Sequence, residues 1–320
     1  MNYDIIGDIH GHADALKALL QDMGYRDSGC AWRKADHQAI FVGDFIDRGP
    51  KQIETVDIVR RMVDAGSAHA VMGNHEFNAI AWYLKHPKQA RRHLRTHTGK
   101  VGRKNLTQHR AFLEAVRGIP GKQKEIVEWF LTLPLWLDLP DIRVVHACWH
   151  PGFMAYLKPK LAPENRLTTE MMVLACREPK REIEKDNAEP SVFKAVEVLT
   201  KGIETPLPKP HTFIDKDGHK RSRVRVHWWD LNADTYKKTA ILEEKEREQL
   251  PDAPIPPSVL IGDGEGKPIF IGHYWWTGRP KPLSGKVACV DYSVARKGKL
   301  VAYRWDGNPA LDMDNFHWIR

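Results

Sequence analysis

Five short apolar runs recur along the chain, and four of them are followed at once by glycine. The runs occupy residues 3–6, 39–42, 68–72, 142–145 and 269–271. Short apolar runs that end at glycine or at a polar turn are typical of buried β-strands. The pattern therefore predicts five strands, each of which ends abruptly.

The segments between the first three runs have the spacing of amphipathic helices. The apolar positions that share a helical face are Ala13, Leu16, Leu19 and Leu20 in the first segment and Ile53, Val56, Val59 and Val63 in the second. Alternating strands and helices predict an α/β fold, in which helices pack on a parallel or mixed sheet. In such sheets, ligands bind beyond the carboxyl ends of the strands.

Each predicted strand is followed by side chains that can bind metal ions or phosphate. They are Asp8 and His10 after the first run, Asp44, Asp47 and Arg48 after the second, Asn74 and His75 after the third, His146 after the fourth, and His273 after the fifth. The carboxyl ends of these strands are expected at one edge, so a single crevice can collect all of these side chains. Each short motif is commonplace alone, and only their joint occurrence in this order predicts a site.

This mixture of carboxylate, imidazole and amide groups favours a site for two metal ions. Two ions about 4 Å apart would neutralise a phosphate ester, activate water and hold the reaction in line. Asp44 is the expected bridge, and Gly7 and Gly11 would supply the turn that lets Asp8 and His10 converge. The side chains left to complete the second ion are Asn74, His146 and His273. Mixed nitrogen and oxygen ligation favours manganese, with iron or zinc as alternatives, as two divalent or mixed-valence ions.

A separate catalytic group is predicted beside these ligands. His75 follows Asn74 directly and is the expected general acid, which protonates the leaving oxygen. Asp47 is the expected partner that would orient the His75 ring and raise its pKa. Arg48 can bind two phosphate oxygens with its planar guanidinium. Glu76 would support a histidine or cap the helix that follows.

The motifs resemble, in the same order, those of the calcineurin-like metallophosphoesterases. They read Gly7-Asp8-Ile9-His10-Gly11, Gly43-Asp44-Phe45-Ile46-Asp47-Arg48-Gly49, Gly73-Asn74-His75-Glu76, His146 and Gly272-His273. The Asp-Arg-Gly and Asn-His-Glu elements are similar to the phosphoprotein-phosphatase branch, which also contains bacterial symmetrical diadenosine tetraphosphate hydrolases. The resemblance covers residues 1–80, 140–152 and 258–305.

The resemblance implies a metallophosphatase β-sandwich, in which two mixed sheets are flanked by helices and a dimetal site lies at one edge. It implies one ion held by Asp8, His10 and Asp44 and a second held by Asp44, Asn74, His146 and His273. It also implies that His75 is the acid paired with Asp47 and that Arg48 binds phosphate.

Two departures from the family pattern concern the site. Residues 146–151 read His-Ala-Cys-Trp-His-Pro, where eukaryotic phosphatases have His-Gly-Gly, and this wording is more similar to the bacterial branch. Within it, His150 is expected to cap a turn rather than to reach substrate. No second phosphate-binding arginine aligns, and the unsupported candidates are Arg223, Arg225, Arg247 and Arg279.

The chain is predicted to form one metallophosphoesterase domain, residues 1–320, with two insertions. The first, at about residues 77–140, is predicted to be helical and basic. The second, at about 154–257, is predicted to be mixed, with a helix at 191–200, a charged helix at 241–248 and a Pro-rich end. Residues 286–291 and 300–305 are predicted to pair as strands.

Composition gives information about the charge of the substrate and the cellular location of the protein. The net charge of +8 favours anionic substrates, although it equally suits solubility. The four cysteines form no CxxC pair, and no apolar run approaches the ~20 residues of a membrane-spanning helix. The first residues lack a signal peptide pattern. We therefore expect a bacterial, cytoplasmic protein with no membrane partner.

The sequence thus predicts a metal-dependent phosphoesterase whose substrate is a nucleotide such as a dinucleoside polyphosphate, or a broad range of phosphorylated small molecules. Tryptophans at 149, 228, 229, 275 and 276 are candidates for a base-stacking surface. The alternatives are a serine/threonine phosphoprotein phosphatase and, more distantly, a basic RNA-binding module, so a nucleic acid partner stays open. A pseudo-enzyme is disfavoured because all expected ligands are present.

Overall fold

A computed structural model describes residues 2–179, 189–215, 218–264 and 266–320. Its strands are β1 (Asn2–Ile6), β2 (Arg26–Asp27), β3 (Trp32–Arg33), β4 (His37–Phe41), β5 (Ala68–Ala70), β6 (Lys85–His86), β7 (Gln89–His93), β8 (Trp136–Asp138), β9 (Arg143–Val145), β10 (Glu204–Pro206), β11 (Phe213–Ile214), β12 (Lys220–Arg221), β13 (Arg223–Arg225), β14 (Ile269–Ile271), β15 (Val287–Cys289), β16 (Asp291–Tyr292), β17 (Lys299–Trp305) and β18 (Phe316–Ile319). Its helices are α1 (Ala13–Asp22), α2 (Gln52–Asp64), α3 (Asn74–Tyr83), α4 (Gly99–Val116), α5 (Lys122–Phe130), α6 (Pro151–Leu157), α7 (Thr169–Ala175), α8 (Val192–Lys201), α9 (Tyr236–Thr239) and α10 (Glu244–Arg247). No helix in these ranges is long and apolar enough to cross a bilayer.

The N-terminal strands form a six-stranded mixed sheet. β4 lies between β1 and β5 and runs parallel to both, and β17 runs antiparallel to β1, β16 and β18. A second, four-stranded sheet has the order β15-β14-β9-β8, in which β14 is parallel to β9 and β15. Four two-stranded pairs lie outside these sheets: β2–β3, β6–β7, β10–β13 and β11–β12.

Alternate residues of each strand face opposite layers, as the two-residue period of a strand requires. Ile5 and Ile40 pack with Phe270 of the second sheet in one buried cluster, so the two sheets form a sandwich. Their chain neighbours Ile6 and Phe41 belong to a second cluster, which also holds the buried faces of α1 and α2. Both faces of the first sheet are therefore covered.

These observations confirm the predicted fold class. Each of the five apolar runs contains a strand, β1, β4, β5, β9 and β14, and the first two predicted helices are α1 and α2. The predicted pairing of residues 286–291 with 300–305 was wrong in part. β16 does pair with β17, but β15 joins the other sheet beside β14. The chain therefore passes from one sheet to the other at Val290.

The insertions are less helical than predicted. Residues 77–140 contain the helices α4 and α5, but also the β6–β7 hairpin and the sheet strand β8. The predicted helix at 191–200 is α8. The predicted charged helix at 241–248 is only the four-residue α10, which begins after a capping box made by Glu243 and Glu246. The division into one domain with two insertions stays a prediction.

Candidate active site

Five loops converge at one edge of the sandwich, and each follows the carboxyl end of a parallel strand. They carry Asp8 and His10 after β1, Asp44 and Asp47 after β4, Asn74 and His75 after β5, His146 after β9, and His273 after β14. All of these side chains are buried except His273, which is half-buried. The structure therefore brings the sequence-predicted residues together.

Glycine precedes several of these residues because the loops approach each other closely. A Cβ atom on Gly7 would collide with the carbonyl oxygen of Val290, and one on Gly272 would collide with the carboxylate of Asp8. Gly7 does not have a positive φ, so the predicted role of Gly7 in a turn was wrong. The left-handed turn after Asp8 is made by His10, whose φ is 47°, and by Gly11, whose φ is 72° as its predicted role requires.

Backbone strain is concentrated in the same loops. Positive φ angles occur at His10, Asp44, Asp47, Arg48 and His273, none of which is glycine. A left-handed conformation costs a non-glycine residue on the order of 1–3 kcal/mol and persists only where its surroundings enforce it. The loops are therefore held in a shape that aims these side chains inward.

Asp44 is the centre of the cluster. Its Oδ2 lies 3.8 Å from Nε2 of His10 and 3.8 Å from Nε2 of His75, and its Oδ1 lies 3.4 Å from Nε2 of His146. Two groups of potential metal ligands share it: His10, Asp44 and His75, and Asp44, His146 and His273. Within each group the ligand atoms lie within 4.8 Å of one another.

Backbone carbonyls determine which nitrogen of two histidines faces Asp44. Nδ1 of His10 donates to the carbonyl of Ile46 at 2.9 Å, and Nδ1 of His146 donates to the carbonyl of Val42 at 2.7 Å. A carbonyl can only accept, so the proton of each neutral ring is on Nδ1 and the Nε2 lone pair points at the cluster. Metal-binding histidines are commonly oriented in this way.

Asp8 and His273 complete the opposite wall. Oδ2 of Asp8 accepts a hydrogen bond from the backbone N–H of His273 at 3.1 Å. The other oxygen of Asp8, Nε2 of His10 and both ring nitrogens of His273 are buried without a partner among the described residues. Burial and the nearby carboxylates of Asp291 and Asp44 raise the pKa of Asp8 well above its ordinary value.

The donor set fits metal ions. Buried polar atoms nearly always have partners, and four unpartnered atoms in one small volume fit a bound cation. Burial, with the nearby charge of His75, lowers the pKa of His10 to about 3. Burial, with Arg225 and His146, lowers that of His273 well below its usual range. Both rings are therefore neutral at neutral pH, and only the neutral ring can coordinate a metal. Asp8 does not belong to the first ligand group above, in which His75 takes its place.

His75 and Asp47 form the predicted pair, and a third residue joins them. Nδ1 of His75 donates to Oδ2 of Asp47 at 2.5 Å, and Nδ1 of His109 donates to Oδ1 of Asp47 at 2.7 Å. Burial would lower the pKa of His75, but Asp44 and Asp47 hold it above its usual value. Burial would raise the pKa of Asp47, but the two histidines hold it below its usual value. His109 lies on α4 and was not predicted.

Glu76 has a structural role. Its carboxylate accepts hydrogen bonds from the backbone N–H groups of Asp44, Phe45 and Gly73. It thereby ties the loop after β4 to the first turn of α3, which agrees with the cap alternative rather than support of a histidine. Burial and the charge of Asp44 raise its pKa to about 7.

Asp291 is another buried acid at the site, and it lies outside the sequence motifs. Its carboxylate accepts from the backbone N–H of Trp275 at 2.7 Å and of Ser293 at 3.0 Å. It therefore holds the loop that follows His273. Burial raises the pKa of Asp291 to about 6, although both of these amide hydrogen bonds lower it.

Arg48 reaches the mouth of the site and lies against an aromatic ring. Its guanidinium carbon is 3.9 Å from the centre of the Trp275 ring, and that of Arg296 is 4.2 Å from the same centre. Such contacts between a cation and a ring hold a guanidinium in place without neutralising it. Arg296 was not among the arginines considered from sequence.

Other candidates have structural positions. His150 caps α6, since its Nδ1 accepts from the backbone N–H of Phe153, as expected. Trp149, Trp228 and Trp229 are buried in the core, so the idea that they form a stacking surface was wrong. Trp275 and Trp276 remain at the site. Among the four arginine candidates, Arg225 affects His273, whose pKa it lowers.

Comparison with known proteins shows which family the site-bearing segment resembles. Residues 1–157 match the family model described as Calcineurin-like phosphoesterase. This matched segment holds Asp8 through His146, whereas His273 and Asp291 lie outside it. Proteins of this family use a dinuclear divalent metal centre, and the histidine and aspartate groups described above could bind metals.

Curated relatives align with the same segment. The chain is 32% identical over 163 residues to a bis(5'-nucleosyl)-tetraphosphatase PrpE, asymmetrical, of Oceanobacillus iheyensis, which covers 49% of this chain and 58% of the relative. It is 42% identical over 86 residues to the protein of the same name from Bacillus velezensis, which covers 27% of this chain and 34% of the relative. The chain thus spans only about a third to three-fifths of these relatives.

A solved structure resembles the chain over its whole length but weakly. A cold-active protein-tyrosine phosphatase of a psychrophile, Shewanella sp., superposes with a TM-score of 0.46 at 15% identity, which covers 100% of this chain and 80% of that chain. At this level of similarity the neighbour says nothing about activity.

Proposed function

We propose that this protein is a metal-dependent phosphoesterase that hydrolyses phosphomonoesters or phosphoanhydrides. One observation carries the proposal: two groups of potential ligands share Asp44, directly beside the His75–Asp47 pair. The family of residues 1–157 supports the same reaction class. A purely structural cluster would not need four unpartnered polar atoms in its interior.

The first ion is assigned to Asp8, His10 and Asp44, and the second to Asp44, Asn74, His146 and His273. Oδ1 of Asn74 lies 3.2 Å from Nε2 of His146, which supports their assignment to one ion. When bound, the ions would neutralise the phosphate and activate a water molecule. Mixed nitrogen and oxygen donors favour manganese, with iron or zinc as alternatives.

The protein's own residues supply the remaining steps. Nδ1 of His75 is held by Asp47, so the opposite nitrogen, Nε2, is left to carry a proton to the leaving oxygen. Asp47 favours the protonated ring because it places a negative charge beside it. Arg48 is exposed at the mouth, where its guanidinium can bind two oxygens of the reacting phosphate.

A nucleotide or another phosphorylated small molecule is the preferred substrate. The relatives named above are dinucleoside tetraphosphatases, and Trp275 and Trp276 remain beside the site as aromatic surface. A serine/threonine phosphoprotein phosphatase is the second candidate, favoured by the exposed basic strand β7, which could contact a protein. No relative named above supports an RNA-binding function, and a cytoplasmic location stays a prediction.

A manganese-supplemented hydrolysis panel tests the proposal. It compares p-nitrophenyl phosphate, diadenosine tetraphosphate and a phosphopeptide, and identifies the products of the second as two ADP or as ATP with AMP. Asp44→Asn should reduce every activity at least about 10³-fold, since it removes the charge shared by both ions. Metal content is measured in parallel. Full activity of Asp44→Asn with its metal retained contradicts the mechanism.

A further inference from the structure

A cavity of about 920 Å³ opens beside His273. Its walls come from segments that the phosphoesterase motifs do not reach: the end of β13, the residues around α10, the loop after His273, and the turn before β17. This volume lies within the range of about 300–1,000 Å³ that is typical of pockets for small ligands. The cavity is continuous with the metal side of the site through His273.

Three polar atoms around this cavity lack a hydrogen-bond partner among the described residues. Nε of Arg225, Nε2 of His227 and Nε1 of Trp276 are buried and make no hydrogen bond to any described residue. Buried hydrogen-bond donors and acceptors rarely lack a partner, because each lost hydrogen bond costs free energy. Burial and the charge of Arg247 lower the pKa of His227 to about 4, so its ring is neutral at neutral pH. A bound molecule with polar edges would satisfy all three groups.

Trp275 links this cavity to the metal side. Arg48 and Arg296 both hold their guanidinium groups against its ring, and only Arg296 lines the cavity. The two guanidinium groups are separated by no more than the sum of their distances to the ring centre. Neither has a hydrogen-bond or ion-pair partner in the described part of the chain. An oligophosphate chain is long enough to span this separation.

The charge of the lining favours an anion. Six basic side chains line the cavity, against the three acidic side chains Asp215, Glu243 and Glu246. Two of these basic groups act at the site: Arg225, which affects His273 and also pairs with Glu204, and Arg296, which lies against Trp275. Trp276 and His227 are aromatic, and each has an unpartnered ring nitrogen, so together they form a surface for a flat ring with polar edges.

We propose that this cavity binds the non-reacting end of a nucleoside polyphosphate, with Arg296 on the phosphate next to the one held by Arg48 and the base against Trp276 and His227. The inference rests on the proposed function for the identity of the reacting end. It assigns the substrate class to phosphoanhydrides that carry a nucleoside, in preference to phosphopeptides. Arg296 thereby becomes the residue that distinguishes an anhydride from a simple monoester.

The substitution that tests this assignment is Arg296→Gln, with Arg279→Gln as the matched control. Arg279 is an exposed arginine that does not line the cavity, and among the described residues its ion pair is with Asp314 at 4.0 Å. In Arg296→Gln the ratio of kcat/KM for diadenosine tetraphosphate to that for p-nitrophenyl phosphate should fall about 10- to 100-fold, since a charge-assisted contact is lost. Arg279→Gln should keep the wild-type ratio.

Binding without turnover provides a second readout. The protein is treated with a chelator, and calorimetry measures the dissociation constants of ADP, AMP and inorganic phosphate. ADP should bind at least about 10-fold more tightly than phosphate in the wild type, and Arg296→Gln should remove about that advantage. Trp276→Phe, which keeps a ring but removes the N–H, should weaken ADP binding about 3- to 10-fold.

The outcomes separate the two proposals. ADP binding that depends on Arg296 in a protein that hydrolyses none of the substrates supports the cavity assignment and contradicts the proposed function. Hydrolysis of p-nitrophenyl phosphate with an unchanged ratio in Arg296→Gln overturns the cavity assignment alone. A phosphopeptide whose kcat/KM falls as much as that of diadenosine tetraphosphate also overturns it, since the cavity would then serve a protein substrate.

Discussion

The two sides of the site are built in different ways. On the metal side, short parallel strands end in loops whose side chains are buried and whose backbone is held in left-handed turns. On the cavity side, the wall is made of very short elements such as β13 and α10, and its arginines Arg247 and Arg296 are exposed. The metal side is therefore buried and held by its constrained loops, whereas the cavity side is open to solvent.

The difference follows from what each side must do. Metal ligands and a proton donor require fixed positions, which the ends of packed strands supply. A surface that selects among substrates can lie on connecting segments, which tolerate change more readily. We therefore expect substitutions on the metal side to abolish turnover, and substitutions on the cavity side or in inserted segments to modulate it.

Substitution of His75, the proposed proton donor, should reduce kcat more than the other changes described below. His75→Asn should reduce kcat by about 10²–10⁴-fold for an alkyl phosphate, whose leaving oxygen needs a proton. It should reduce kcat much less for p-nitrophenyl phosphate, whose leaving group departs without one. Steady-state kinetics with both substrates measures the difference, and metal content is determined for each variant.

The metal content decides between two roles of His75. Its Nε2 also lies 3.8 Å from Asp44, within a potential ligand group. Equal losses for both substrates, accompanied by loss of one ion, would show that His75 is a ligand and would remove the general acid from the mechanism.

Substitution of His109 tests whether an inserted helix, α4, contributes to the metal side. Its ring donates to the oxygen of Asp47 that His75 does not use, so it positions the pair without touching substrate. His109→Phe should lower kcat for the alkyl phosphate about 10- to 100-fold, as is typical when an outer hydrogen-bond partner is lost. His109→Gln, which keeps an N–H donor, should restore part of the rate.

A structural role alone would give a different result. If His109 only fills space, Phe and Gln variants will differ in thermal stability but will show the same dependence on the leaving group as the wild type. A steeper dependence in His109→Phe that is reversed in His109→Gln supports positioning.

Much of the fold could be predicted because its scaffold obeys local rules. An apolar run of three to five residues that ends at glycine or at a polar residue can be recognised without tertiary information, and each of the five runs coincides with a strand. The sheet that a strand joins cannot be recognised in this way. β15 and β16 are separated by Val290 alone, yet they belong to different sheets, because pairing partners lie far away in sequence. The exposed charged hairpin β6–β7 also lacks an apolar pattern.

The same limit applies to the site. Residues that follow strands were predicted, whereas His109, Asp291 and Arg296 were missed. His109 shares a helical face with Phe112 and Val116, so a histidine on a buried stripe was the available signal. Asp291 and Arg296 follow no motif, and their roles depend on the loop that contains Trp275. Such contacts join segments that are remote in sequence.

The smallest effect concerns His150, a histidine close to the motifs that has no expected part in turnover. Burial, with the nearby charge of Lys194, lowers its pKa to about 4, below the ordinary value of about 6.5. The unfolded chain therefore binds the proton more readily, so the stabilisation is complete above about pH 6.5 and is lost as the pH falls towards 4. Protonation of Nδ1 also removes the cap on α6, which is worth about 1 kcal/mol.

His150→Asn tests this pH dependence because it keeps a capping oxygen that does not titrate. Between pH 7 and 4.5 the wild type should lose at least about 1 kcal/mol more of its free energy of unfolding than His150→Asn does. Denaturant titrations at both values measure this. Parallel pH profiles for the two proteins would show that folding does not lower the pKa of His150 and that the cap is not its role.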